Sequence, residues 1–141
     1  MDILQLIERL HHGAHSLVVA QGSEFRCFDG RGVGDVYELS IGEPSFLRGS
    51  MLADKVIGVG AASIMILSGV REVYADVISQ RALALLEREG VVVSHAQVVP
   101  YIINRLGDGQ CPLESRCPEG MTLAQIKEQV DRFVAEQRNK N

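Results

Sequence analysis

Residues 56–70 contain no charged side chain, and this run constrains the chain more than any other feature. Val56, Ile57, Val59, Ile64, Met65, Ile66 and Leu67 would leave a helix no polar face, and such a helix has to be buried. The run is too short to span a bilayer, which takes about 20 apolar residues. It therefore belongs in the core of a globular domain. The spacing predicts one helix over residues 50–67, stopped by Gly69. Gly58, Gly60, Ala61, Ala62 and Ser63 are small enough to let a sheet or another helix approach closely.

Composition agrees with one folded domain. The chain has 141 residues, 46% of them hydrophobic and 23% charged, and a domain of this size needs no disulfide or metal staple. Disorder is expected only over residues 137–141. The formal net charge of −4 offers no basic face for nucleic acid and no attraction to an anionic membrane. Cys27, Cys111 and Cys117 are too few, and odd in number, for a disulfide framework. No positively charged leader precedes an apolar stretch at the N-terminus. The expected location is the cytoplasm.

Around the apolar run, periodicity and caps predict the remaining elements. Ile3, Ile7, Leu10 and Ala14 recur at helical spacing over residues 2–12, with Asp2 and Gln5 as a capping box and Gly13 as the stop. Residues 16–20 and 24–28 read as a hairpin around Gln21-Gly22-Ser23. A glycine loop, Asp29 to Asp35, and a short amphipathic turn over 36–39 follow. Residues 72–78 read as a central strand. Ser79 caps a helix that Gly90 stops, and residues 91–94 form the next strand. Residues 97–104 read as either an edge strand or the start of a short helix, because Pro100 interrupts them. A loop rich in Gly, Pro and Cys spans 107–120. Thr122 and Gln125 cap a last helix with the stripe Leu123, Ile126, Val130, Phe133 and Val134. Alternating strands and helices with short loops predict a mixed sheet with helices on both faces.

Chemistry has three candidate locations. Asp54-Lys55 would head the buried helix, where the N-terminal dipole favours Asp54 and opposes Lys55. Either Lys55 snorkels to solvent and Asp54 merely caps, or the pair serves a ligand crevice. The glycine loop is either an anion nest with Arg31 as its charge or a turn that needs glycine for its geometry. Cys111 and Cys117 stand farther apart than paired zinc ligands usually do. They are a reactive thiol pair beside Arg116, buried free cysteines, or a bridge that closes their loop. Gly58-Val59-Gly60 mimics a dinucleotide fingerprint weakly and, inside a helix, would not bind one. His11, His12 and His15 fit the dipole of a helix C-terminus rather than a ligand face. No cofactor is called for.

The strings Phe28-Asp29-Gly30-Arg31-Gly32-Val33, Ala53-Asp54-Lys55-Val56, Tyr74-Ala75-Asp76-Val77-Ile78-Ser79, Val99-Pro100-Tyr101-Ile102-Ile103-Asn104-Arg105 and Cys111-Pro112 resemble a small family of prokaryotic proteins of uncharacterised function. The resemblance runs from about Leu4 to Cys117. It implies an α/β chain with a three-layer α/β/α, cytidine-deaminase-like fold over residues 1–118, with 119–141 as a helical extension packed on the same domain. Zinc deaminases begin one helix with His-x-Glu and the next with Pro-Cys-x-x-Cys. The corresponding places here would be Ala53-Asp54-Lys55 and Ser79-Gln80-Arg81-Ala82, which carry no zinc ligand and no catalytic Glu. The leading expectation is a zinc-free small-molecule site, with Lys55, Asp54 and Cys111 as catalytic candidates. Arg31, Ser79, Asn104 and Glu114 are its ligand-binding candidates. The alternatives are a non-catalytic binding or oligomerisation module and a redox thiol protein. A homodimer or larger homo-oligomer is expected.

Overall fold

The structure is a computed structural model that describes residues 2–30, 32–103, 107 and 109–139. Arg31 and Asn104 lie outside the described residues. Helix α1 (Ile3–His12) carries the expected capping box: Gln5 N–H donates to Asp2 Oδ1 at 3.0 Å, and Asp2 N–H donates to Gln5 Oε1 at 2.8 Å. The hairpin pairs β1 (Leu17–Gln21) with β2 (Glu24–Phe28), and Gly22 at φ 62° supplies the left-handed turn residue. Two helices follow, α2 (Gly34–Gly42) and the short α3 (Pro44–Leu47).

The single helix expected over residues 50–67 is two elements. Strand β3 (Met51–Ile57) ends at Gly58, and α4 begins there (Val59–Leu67). Strand β4 (Glu72–Ser79), α5 (Gln80–Arg88) and β5 (Val92–Val99) come next, then the short α6 (Pro112–Ser115) and α7 (Leu123–Asn139). β5 takes in residues 97–99 of the ambiguous segment and stops before Pro100. The strand order is β2-β1-β3-β4-β5. β1 is antiparallel to both neighbours, and β3, β4 and β5 are parallel. The mixed α/β sheet with helices on both faces is as expected.

Side-chain alternation divides the core. Val18, Ala20, Met51, Ala53 and Tyr74 pack against Leu6 and Leu10 of α1. Leu17, Val19, Leu52, Val73 and Ala75 join the larger core, which α4, α5 and α7 complete. The alternation slips near the C-terminal ends of the parallel strands. Ile57 and Ile78 belong to the same core as Leu52 and Ala75, although an odd number of positions separates them. The pairing register passes over Lys55, Asp76 and Ala96 at this level. Consequently Lys55 and Val56, adjacent on one strand, are both exposed.

Helix α7 closes the larger core with Ile126, Val130 and Val134. Thr122 and Gln125 form its capping box. Tyr37 Oη donates to Asp131 Oδ1 at 2.6 Å, which ties α2 to α7. No described helix is long and apolar enough to cross a membrane.

Candidate functional site

The C-terminal ends of β3, β4 and β5 lie together, as the parallel register requires. In open α/β sheets this is where helix N-termini offer free N–H groups to a ligand. Here α4 has no side-chain cap of its own, because its N-cap is Gly58. The partner arrives from α6. Val59 N–H donates to Glu114 Oε2 at 2.7 Å, and Ile102 N–H donates to Glu114 Oε1 at 3.3 Å. Glu114 is only 4% exposed. A Cβ at Gly58 would stand 2.8 Å from Glu114 Oε2, and one at Gly60 would stand 2.5 Å from Leu113 Cδ2. The two glycines therefore form the seat of Leu113 and Glu114. Their position at a strand-to-helix turn removes the earlier reason for setting the fingerprint aside, but an internal carboxylate stands where a phosphate would bind.

Asp54 and Lys55 head no helix, which corrects the expected placement. They sit within β3, where Asp54 pairs with Leu17 of β1 and Ala75 of β4 and the register passes over Lys55. Asp54 is 8% exposed, and its Oδ1 accepts from Val56 N–H at 3.3 Å. Burial pushes its pKa up to about 8; the Asp35 and Asp76 carboxylates push the same way, against backbone hydrogen bonds from Val56 and Lys55. Lys55 is exposed and makes no ion pair among the described residues. The supposed match of residues 53–55 to the start of a deaminase helix falls with that helix. The helices that do begin nearby, at Gly34 and Val59, carry no His or Cys in their first turns either.

Ser79 is fully buried, and its Oγ accepts from Ala82 N–H at 3.2 Å as the N-cap of α5. The loop carrying Cys111 reaches this end of the sheet: Cys111 N–H donates to Ile102 C=O at 2.7 Å. It delivers Glu114 to Gly58 and Val59, just beyond Asp54-Lys55 in β3. Cys111 is half-buried and Cys117 buried. Burial raises the Cys117 thiol pKa, with Arg81 opposing, so Cys117 is a poor nucleophile at neutral pH. No cluster of metal-ligating side chains occurs among the described residues.

One polar array was not anticipated. His11 Nε2 lies 2.7 Å from Asp76 Oδ1, and Tyr74 Oη donates to the same oxygen at 2.6 Å. Burial, then the bond to Asp76, raises the Tyr74 pKa to about 12. His15 Nδ1 lies 2.7 Å from Asp29 Oδ1. Both histidines thus anchor the end of α1 to the sheet. No local signal pairs residues this distant in sequence; the histidine cluster itself was the visible part. Two surface grooves lie elsewhere. One, of about 420 Å³, is lined by Gln5, Arg9, His12, His15 and Cys27 among others; the second, of about 230 Å³, lies between Ile41, Arg48, Leu67 and Lys127. Neither touches Asp54, Lys55, Ser79, Cys111 or Glu114.

The family model described as TM1506, a domain of unknown function (DUF1893), matches residues 5–134. A crystal structure of a DUF1893 family protein (TM1506) from Thermotoga maritima is similar, with a TM-score of 0.82 and 26% identity. The match covers 96% of this chain and 89% of that one. No curated protein matches the chain.

Proposed function

The chain belongs to the DUF1893 family, and from that premise we propose that it is a non-catalytic cytoplasmic module, of cytidine-deaminase-like fold, that works by association. One observation carries this reading. The N-terminus of α4, the natural ligand seat at this end of the sheet, is filled by the chain's own Glu114. A carboxylate at a helix N-terminus satisfies free N–H groups and the dipole together. An incoming phosphate or carboxylate would have to displace Glu114 and leave it buried without partners. That loss costs about 1–3 kcal/mol or more for a charged group. The test is thermal denaturation with inorganic phosphate, nucleosides and nucleotides. The expected result is an unchanged Tm, whereas a ligand bound by the native state would raise stability with the logarithm of its concentration. Such a concentration-dependent rise with any of them overturns the reading.

A second reading rests on Asp54. A buried carboxyl with a strongly raised pKa and no cation beside it is a recurrent feature of binding sites. In this reading a small molecule, such as a nucleotide, binds at the ends of β3 and β4. Lys55 is its electrostatic anchor or base and Asp54 the partner, with Cys111, Ser79 and Glu114 on the segments that meet at this end of the sheet. It expects the same screen to find a ligand whose affinity falls at least tenfold in Lys55→Ala. An unchanged affinity in Lys55→Ala removes it.

A further inference from the structure

The two edges of the sheet are built differently. β2, five residues long, is guarded by charge and by neighbouring side chains. Arg26 pairs with Glu24 at 2.9 Å and Glu43 at 2.5 Å and lies over Phe46, while Arg9 lies over Phe25. These are the devices by which a soluble protein keeps an edge strand from pairing further. β5 has none of them. Its eight residues, Val92–Val99, include no charged side chain and no proline, and six of the eight are exposed. β4 pairs with one side of it; among the described residues no strand pairs with the other. Helix α1 packs on β1, β3 and β4. Of eight large hydrophobic residues exposed among those described, Val92, Val98, Tyr101 and Ile103 lie on β5 or directly after it.

From this we infer that β5 is a self-pairing edge, joined antiparallel to β5 of a second copy about a two-fold axis near His95 and Ala96. The inference rests on the association reading above and names its surface. The occupant follows from charge. The chain is negative, so two copies repel wherever their acidic surfaces meet. An uncharged strand is where like copies can approach, and a two-fold axis presents it with an identical, equally uncharged strand. Antiparallel pairing would satisfy the outward N–H and C=O groups of both strands and extend the sheet across the dimer. The exposed valines, Tyr101 and Ile103 would then line the flanks of the seam.

The full chain is measured by sedimentation across a range of concentrations, beside Ala96→Lys. Ala96 is exposed in the single chain, and lysines near the axis bring like charges together. The expected result is a wild-type dimer of twice 15.4 kDa and a monomeric variant with unchanged circular dichroism. A second measurement needs no variant: amide exchange of residues 92–99 should slow as wild-type concentration rises. A dimer that persists in folded Ala96→Lys, or β5 exchange independent of concentration in a dimer, overturns the β5 surface and leaves association standing. A wild-type monomer at all concentrations overturns both.

Discussion

Burial, with a smaller push from the Asp35 and Asp76 carboxylates, raises the Asp54 pKa, and so the group holds its proton to about pH 8. Unfolded, the same group titrates near 3.8. Between these values the folded chain binds one proton more than the unfolded chain, so stability falls as pH rises through the interval. The contribution is fully present below the unfolded value and is lost by the time pH passes the folded one, at about 1.4 kcal/mol per pH unit. Asp54→Asn keeps an acceptor for Val56 N–H and removes the titration. The urea midpoint of the wild type is expected to drop between pH 5 and pH 8 relative to that of Asp54→Asn. Parallel profiles would mean that Asp54 ionises normally. Glu114 is also buried, and its carboxyl accepts from two backbone N–H groups. Nothing local marked either environment. Asp54-Lys55 read as a helix cap because it preceded an apolar run. Glu114 was only one acid in a loop.

At the level of elements, the run that dominates the sequence is divided between a strand and a helix. A central parallel strand is apolar on both faces, and so is a buried helix, so periodicity cannot separate them. The glycine at position 58 was the available mark of the boundary. Its backbone is extended, at φ −102°, and any residue could adopt it; glycine is needed because Glu114 comes so close. Gly13 is similar. It is not left-handed, and Ala14 takes the positive φ of 53° instead, but a Cβ at Gly13 would meet the His15 ring at 2.4 Å. Gly60 gives the sharpest test of this packing. Alanine there gains helix propensity of up to about 1 kcal/mol but strikes Leu113 and crowds Val130. Gly60→Ala is expected to destabilise by about 1–3 kcal/mol, as overpacking does. Leu113→Ala should recover part of that loss in the double variant, a coupling readable from denaturant curves. Additive losses would mean that α6 does not press on α4 there.

For the whole molecule, α7 belongs to the fold as much as any strand. Val130 is fully buried, Ile126 and Val134 join the main core, and Tyr37 bonds to Asp131 across the helix pair. A chain ended at residue 118 is expected to lose cooperative thermal unfolding, because removing α7 strips the outer cover from α4, which has no polar face of its own. A sharp calorimetric transition in that truncation would instead make residues 1–118 a self-sufficient domain. The elements legible beforehand were those with local codes: the capping boxes of α1 and α7, the Gly22 turn, and Ser79 at the head of α5. The sequence by itself determined that this chain folds around a buried apolar segment, alternates strands with helices, and carries a net charge of −4. Those properties follow from side-chain chemistry and from contacts between near neighbours along the chain. Only the tertiary structure decided where β3 gives way to α4, that Glu114 fills that helix's N-terminus, that His11 meets Asp76, and that β5 is left an open edge. Each of these depends on which distant segments come to lie side by side, and that is set by the packing of the entire core.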